Sequence, residues 1–397
     1  MQKPFNNIKI LDFTQVVSGP YASYQLALLG ADVIKVERRE GEDLRRTHLS
    51  RELSDRGQSP FFQAVNGQKR GITLDLQKPE AVDIVKKLAA KADVVVENFR
   101  PGVMDKLGIG YRALSEVNPS LVYCAISAFG QTGPERLGAG YDGKIQALSG
   151  IMAMTGFEET GPTRAGFPVC DVIAGLTAAF AISSALFQRN QTGNGQFVDV
   201  SMLEAALAFL SGQIAEYTIT GHREGLGGNY SVSRKPTANT FKAGDGSILF
   251  SVNSEKQFGA MMNALGRPDV PADPKFTNWH VRKQNEAELR EIVEAELAKK
   301  PAKEWEKILD AAGAPCATIR RLDETLDHPQ IVAREAVKPI DTPYGSYRLA
   351  AAGFRFAQGG PTLDRMAPHL GEHTSSVLSE MGYSDCEIEQ LRAASII

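Results

Sequence analysis

The chain is short of cysteine and histidine for its 397 residues. Its four cysteines, Cys124, Cys170, Cys316 and Cys386, lie far apart and form no C-x-x-C pair. They give no disulfide framework and read as reduced thiols of a cytoplasmic protein. The six histidines, His48, His222, His280, His328, His369 and His373, show no metal-ligand spacing, so no metal is expected. An excess of one charge is also missing. Lys and Arg number 44 against 47 Asp and Glu, a net −3. That gives no general attraction to nucleic acid or to an anionic membrane. The most apolar run, residues 174–187, contains Thr and Ser and is too short to span a bilayer. Met1-Gln2-Lys3-Pro4-Phe5-Asn6-Asn7 has no apolar core of a signal peptide, so none is expected. No repeats or low-complexity tracts are present.

What is there is a βα rhythm. Residues 8–13 form a strand, Ser18-Gly19-Pro20 opens a helix that Gly30 stops, and residues 31–37 form a second strand. Such a βαβ unit predicts a parallel sheet. The turn after the first strand has no G-x-G-x-x-G, which argues against a dinucleotide fingerprint and a nicotinamide oxidoreductase. Further strands are predicted over 71–76, 93–97 and 121–125, with a helix opened by Pro79. Ligands bind such sheets at the strand C-termini. Val17, Arg38, Leu74, Asn98 and Phe99 all lie at or just past those ends. Arg38, Arg39, Arg45 and Arg46 follow the second strand and read mostly as a solvated cluster.

Residues 172–186 read as a tightly packed helix with Asp171 at its mouth. As a structural feature Asp171 is an N-cap. As chemistry it is a nucleophile, kept ionised by the helix dipole and free N–H groups. The neighbouring Cys170 is the competing nucleophile, or a buried apolar thiol. Around Gly221 the texture changes. Residues 1–220 are predicted to form a large domain, 221–330 a smaller α+β domain, and 331–397 a return to the large one.

Several stretches together resemble the family III CoA-transferases of the CaiB/BaiF type. They are Leu11-Asp12-Phe13 through Ser18-Gly19-Pro20, Gly30-Ala31-Asp32 through Glu37, and Asn98-Phe99-Arg100-Pro101-Gly102. Gly140-Tyr141-Asp142, Gln146-Ala147-Leu148-Ser149-Gly150, Asp171, Thr192-Gly193 through Met202, and Leu370-Gly371-Glu372-His373-Thr374 complete the set. The resemblance runs over nearly the whole chain in order.

It implies a Rossmann-like large domain built from both chain ends and an interlocked homodimer. It implies transfer of coenzyme A from an acyl-CoA to a free carboxylic acid, with CoA as substrate and no other cofactor. Asp171 falls on the family's catalytic aspartate, which forms an acyl anhydride and then an aspartyl-CoA thioester. Val17, Arg38, Leu74, Asn98, Phe99, Lys106 and Tyr141 fall on CoA-binding positions, and Gly227 and Gly228 on a glycine loop that supplies oxyanion donors. Formyl-CoA transferases carry glutamine at Val17, which argues against formyl-CoA and oxalate here. The family's α-methylacyl-CoA racemases need histidine where Tyr141 stands, which favours transfer over isomerisation. The remaining alternative is a CoA-binding protein without the chemistry. Arg234-Lys235 beside the glycine loop suggests a hold on the distal carboxylate of a dicarboxylic acceptor.

Overall fold

Short aliphatic runs such as Val94-Val95-Val96 alternate between two buried faces, which is the pattern of a parallel sheet covered on both sides. The computed structural model describes residues 2–342 and 345–397. The sheet has six strands: β1 (Lys9–Asp12), β2 (Asp32–Glu37), β3 (Arg70–Thr73), β4 (Val94–Glu97), β5 (Val122–Ser127) and β6 (Gln196–Ser201). Their order is β3-β2-β1-β4-β5-β6 and every pairing is parallel.

On one face Leu11, Ile72, Val95, Tyr123 and Ala125 pack under the helix α2 (Pro79–Ala89). Val377, Leu378, Ile388 and the terminal Ile396 and Ile397 join that core. The Asp75 N–H donates to the Ile396 carbonyl at 2.8 Å, so the far end of the chain closes the sheet built by its beginning. On the other face Ile10, Val33, Val94, Val122, Cys124 and Ile126 pack against two helices. These are α1 (Ser18–Leu28) and the long helix over residues 169–192.

That long helix exceeds the span its sequence pattern suggests. It starts at Val169 and ends where Gly193 takes φ 75°, a left-handed stop that glycine adopts without strain. By length and apolarity it could cross a bilayer. Here one of its faces, with Ala178, Ile182 and Ala185, is sheet core.

The arginines after β2 do not all face solvent. Arg45 is buried, donating to both oxygens of Glu37 at 2.8 and 2.6 Å, with its guanidinium 3.9 Å from the Phe62 ring centroid. A planar fork matched to a carboxylate and stacked on a ring is a use that lysine could not fill.

The unit holding this sheet comprises the residues up to Met152, Arg164–Arg223 and Val332–Ile397. A second unit comprises Ala153–Thr163 and Glu224–Ile331. Its sheet is antiparallel, with Gly246–Phe250 between Thr240–Ala243 and Cys316–Thr318. Its own core is built on Phe241, Ile248, Phe250, Phe258 and Trp305.

Candidate active site

The sheet order reverses between β1 and β4, and a crevice opens there at the strand C-termini. The segment leaving β1 is held across that crevice residue by residue. The Gln15 N–H donates to Asn98 Oδ1 at 2.8 Å, and Asn98 Nδ2 donates to the Gln15 carbonyl at 2.7 Å. The Val16 N–H donates to Glu42 Oε2 at 2.7 Å. The Thr14 N–H donates to Asp12 Oδ1 at 2.8 Å, and its carbonyl accepts from Lys35 Nζ at 2.8 Å. Val16 takes φ 65°, a left-handed conformation that a β-branched residue adopts only under constraint.

Apart from Asn98, the groups doing the holding are buried charges. Asp12 and Lys69 pair at 2.9 Å with no exposed side-chain surface, and Lys35 pairs with Glu42 at 2.8 Å. Lys69 also donates to Asn66 Oδ1 at 2.7 Å and the Pro20 carbonyl at 3.0 Å. Burial alone would raise the Asp12 carboxyl. The Lys69 and Lys35 charges, with hydrogen bonds from Ser23 and Thr14, outweigh it and hold it at about 2. Burial pushes the Lys69 ammonium down to about 8 against the pull of Asp12. A buried pair this well supplied with hydrogen bonds serves mainly to specify one geometry.

Three further helices complete the site: α3 (Asp142–Leu148), α4 (Val169–Thr192) and α5 (Met202–Phe209). Pro168 is the N-cap of α4, so Asp171 is the third helical residue rather than the cap. Its side chain is 9% exposed and lines a cavity of about 190 Å³. Gln15, Val16 and Ser18 from the β1 side line the same cavity, as do Asn98, Phe99 and Arg100 from β4, Ser127 and Ala128 from β5, and Tyr141 and Met202.

Ser18, itself buried, lines the cavity beside Asp171 and lowers its carboxyl. Asp142 lies behind it. Its Oδ1 accepts the Cys170 N–H at 2.8 Å and its Oδ2 accepts from Gln146 Nε2 at 2.6 Å. Gln146 Oε1 in turn accepts the Ala165 N–H at 3.0 Å, and Arg164 stands 3.7 Å from Asp142.

These surroundings correct the expectation that a helix terminus keeps Asp171 ionised. Burial, then the charge of Asp142, push its carboxyl up to about 7, with Ser18 opposing. At neutral pH the group is near half protonation. A buried carboxyl that titrates there, beside a cavity and a specific charge partner, has the marks of a functional group. The Cys170 thiol does not compete. Burial, with the charges of Asp142 and Asp171, pushes it up to about 12, so it stays a neutral thiol.

Of the seven residues expected around CoA, Asn98, Phe99 and Tyr141 line this cavity. The Asn98 amide is already spent on both backbone groups of Gln15. Tyr141 is 75% exposed at the N-cap of α3, which excludes a core role. Val17 is buried at the N-cap of α1, and its neighbours Val16 and Ser18 line the cavity instead. Arg38 pairs with Asp43 at 2.5 Å and donates to the Gly41 carbonyl at 2.7 Å. The Leu74 side chain is core, 1% exposed under the β3 end of the sheet. Lys106 is exposed at the end of the short helix Val103–Lys106.

Gly227, Gly228, Arg234 and Lys235 belong to the second unit. The Gly228 N–H, expected as an oxyanion donor, is spent on the Gly156 carbonyl at 2.9 Å. Arg234 pairs with Glu224 at 2.5 Å, and Lys235 donates to the Asn253 carbonyl.

Sequence reasoning missed Ser18, Gln15, Glu42 and Asp142 as parts of the site. Ser18 and Asp142 stood inside stretches already singled out, Ser18-Gly19-Pro20 and Gly140-Tyr141-Asp142. Nothing in a linear pattern says that their side chains converge on Asp171.

Comparison with known proteins bears on this geometry. The model of CoA-transferase family III matches residues 5–374. The succinyl-CoA:glutarate CoA-transferase of Mus musculus is 33% identical over 397 residues, covering 100% of this chain and 90% of the relative. The acetyl-CoA:oxalate CoA-transferase of Acetobacter aceti is 37% identical over 332 residues, covering 83% of this chain and 84% of the relative. Among solved structures, a CaiB/BaiF family protein from Brucella suis superposes with a TM-score of 0.87 at 31% identity, covering 96% of this chain and 100% of that one.

Proposed function

The chain belongs to CoA-transferase family III, and from that premise we propose that it moves coenzyme A onto a dicarboxylic acid through covalent intermediates on Asp171. The carrying observation is the buried Asp171 carboxyl at the wall of a cavity over the strand C-termini. The dicarboxylate reading draws on the two relatives, named for glutarate and for oxalate.

The chemistry balances without ATP, because one thioester is exchanged for another. The ionised Asp171 attacks the thioester carbonyl of the donor. The carbon–sulfur bond breaks and CoA leaves as thiolate, giving an acyl-aspartyl anhydride. The thiolate attacks the aspartyl carbonyl and releases the donor acid, leaving aspartyl-CoA. The acceptor carboxylate attacks that carbonyl and frees the thiolate again. The thiolate then takes the acceptor's acyl group, and Asp171 returns as a carboxylate. An anhydride hydrolyses readily, so the burial of Asp171 suits the step.

Among the described residues, Arg100 is the one basic side chain lining the cavity, and it would meet an anionic part of a substrate. The Gly227 N–H is the remaining oxyanion donor of the glycine pair. Arg234 and Lys235 are assigned to the acceptor's second carboxylate, for which Arg234 must exchange Glu224. The interlocked homodimer is part of the same reading. Phe180 and Phe187 on α4 and Phe209 on α5, all more than 60% exposed, support burial by a second copy.

The test is trapping. After incubation with succinyl-CoA and quenching with hydroxylamine or borohydride, peptide mass spectrometry is expected to find the modification on Asp171 and none in Asp171→Ala. A modified Asp171→Ala protein, or an unmodified Asp171, contradicts the assignment.

A further inference from the structure

Ser18 and Asp171 are brought together on one cavity wall by two helices whose first turns meet. α1 begins at Ser18, and Asp171 lies in the first turn of α4. One turn beyond Asp171, Gly175 lets the backbones close together. A Cβ there would lie 2.6 Å from the Ser18 carbonyl oxygen and 3.1 Å from the Tyr21 side chain. On the other side of the same turn, a Cβ at Gly19 would lie 2.4 Å from the Thr14 side chain. Glycine at both places is a requirement of the close approach. Ser18 is 4% exposed. It follows a segment pinned by Asn98 and Glu42, so its hydroxyl has little freedom to drift.

We propose that Ser18 is a positioning residue of the transfer reaction, holding one oxygen of Asp171 so that the other is presented to the thioester. The proposal rests on the reading of Asp171 as the nucleophile. No bond to Ser18 forms or breaks. Its proton stays on its own oxygen and follows the Asp171 oxygen from carboxylate to the carbonyl of the anhydride and thioester. While Asp171 is ionised, this donor opposes the two effects that favour the neutral acid.

The groups around Asp171 make that opposition readable. Asp142 faces it from α3, with Arg164 behind. Cys170 shares its turn, and Tyr21 comes from α1 against Gly175. Met202 comes from the start of α5 and Arg100 from the segment after β4. Asp142 raises the Asp171 carboxyl and Ser18 lowers it. Removing the hydroxyl therefore leaves burial and Asp142 unopposed.

The experiment measures the single-turnover rate of Asp171 labelling by succinyl-CoA against pH, in the full chain and in Ser18→Ala, Ser18→Thr and Asp171→Ala. Thermal melts check folding. In Ser18→Ala the acid limb is expected to move up by about half to one pH unit, a three- to tenfold slower labelling at about pH 6. Near pH 9, where Asp171 is ionised in both proteins, the Ser18→Ala rate should still fall, because the carboxylate is no longer held in place. Ser18→Thr, which keeps the hydroxyl, should restore the limb. If Ser18→Ala does not fold, Ser18→Cys is close in size with only a weak donor, and the same upward movement is expected. A limb that stays in place overturns the proposal, whether the rate falls at every pH or at none. If the unsubstituted protein never labels at Asp171, the nucleophile reading has failed and this proposal falls with it.

Discussion

The side-chain amide of Asn98 closes both hydrogen bonds of the Gln15 backbone, at 2.8 Å to its N–H and 2.7 Å to its carbonyl. One side chain at the end of β4 thus supplies, in strand-like fashion, the partners that the segment leaving β1 has lost. The loop is thus satisfied by side chains, the part-buried Asn98 with the buried Asp12, Lys35 and Glu42, rather than by solvent alone.

Asn98→Ala leaves both Gln15 groups without their partner. The expected cost is about 1–3 kcal/mol of stability, together with a fall in kcat as Ser18 loses its fixed position. Denaturant melts and steady-state kinetics check this. Val16→Gly relieves the left-handed strain and is expected to raise stability by roughly 1 kcal/mol with activity retained.

Activity should follow the ionisation of Asp171. With its carboxyl at about 7, the acid limb of kcat/KM is expected near neutrality, and the rate falls as pH drops through it because the neutral acid is no nucleophile. Asp142→Asn removes the charge that pushes Asp171 up. Its limb should move down by about one pH unit. A pH–rate profile of both proteins decides it.

The same group carries a stability cost with a definite sign. The folded carboxyl titrates above its ordinary value, so the folded state binds more protons and loses stability as pH rises from about 4 to 7. The full cost stands above that window, at most about 4 kcal/mol. Asp171→Asn should be inactive yet melt higher than the unsubstituted protein near pH 8, with no such gain below about pH 4.

The charge pair beneath the loop behaves differently. Lys69→Met leaves Asp12 buried without its main partner, which should cost about 3–5 kcal/mol. The double variant Asp12→Asn with Lys69→Met should recover a large part of that. A double-mutant cycle by urea melts measures the coupling.

Arg234→Ala tests the acceptor. It should raise KM for glutarate far more than for a monocarboxylate such as butyrate. Equal effects on the two remove the proposed contact with a distal carboxylate.

The sheet was legible in the sequence because its strands are runs of aliphatic residues punctuated by Gly and Pro. Leu11-Asp12-Phe13 and residues 93–97 needed no partner to be read. Asp171 was legible as a lone carboxylate opening an apolar helix. Its protonation was not. The helix terminus argues for an anion, and only the folded chain reveals the burial and the Asp142 charge that argue the other way. The burial of Arg45 and Lys69 was equally hidden. Asp12 and Lys69 meet across 57 positions, and no local periodicity encodes such a pair. Leu74 stood at a strand end in the right place for a ligand, yet its side chain points into the core that α2 covers.

The most direct measurement is peptide mass spectrometry of the protein quenched during reaction of an acyl-CoA with a dicarboxylic acid. The account predicts a trapped modification on Asp171 that appears with an acyl-CoA donor alone, drawn from a panel that includes succinyl-CoA, is discharged when a dicarboxylic acid such as glutarate is added, and is absent from Asp171→Ala. Turnover of the two substrates with Asp171 never modified, or undiminished turnover by Asp171→Ala, would contradict it.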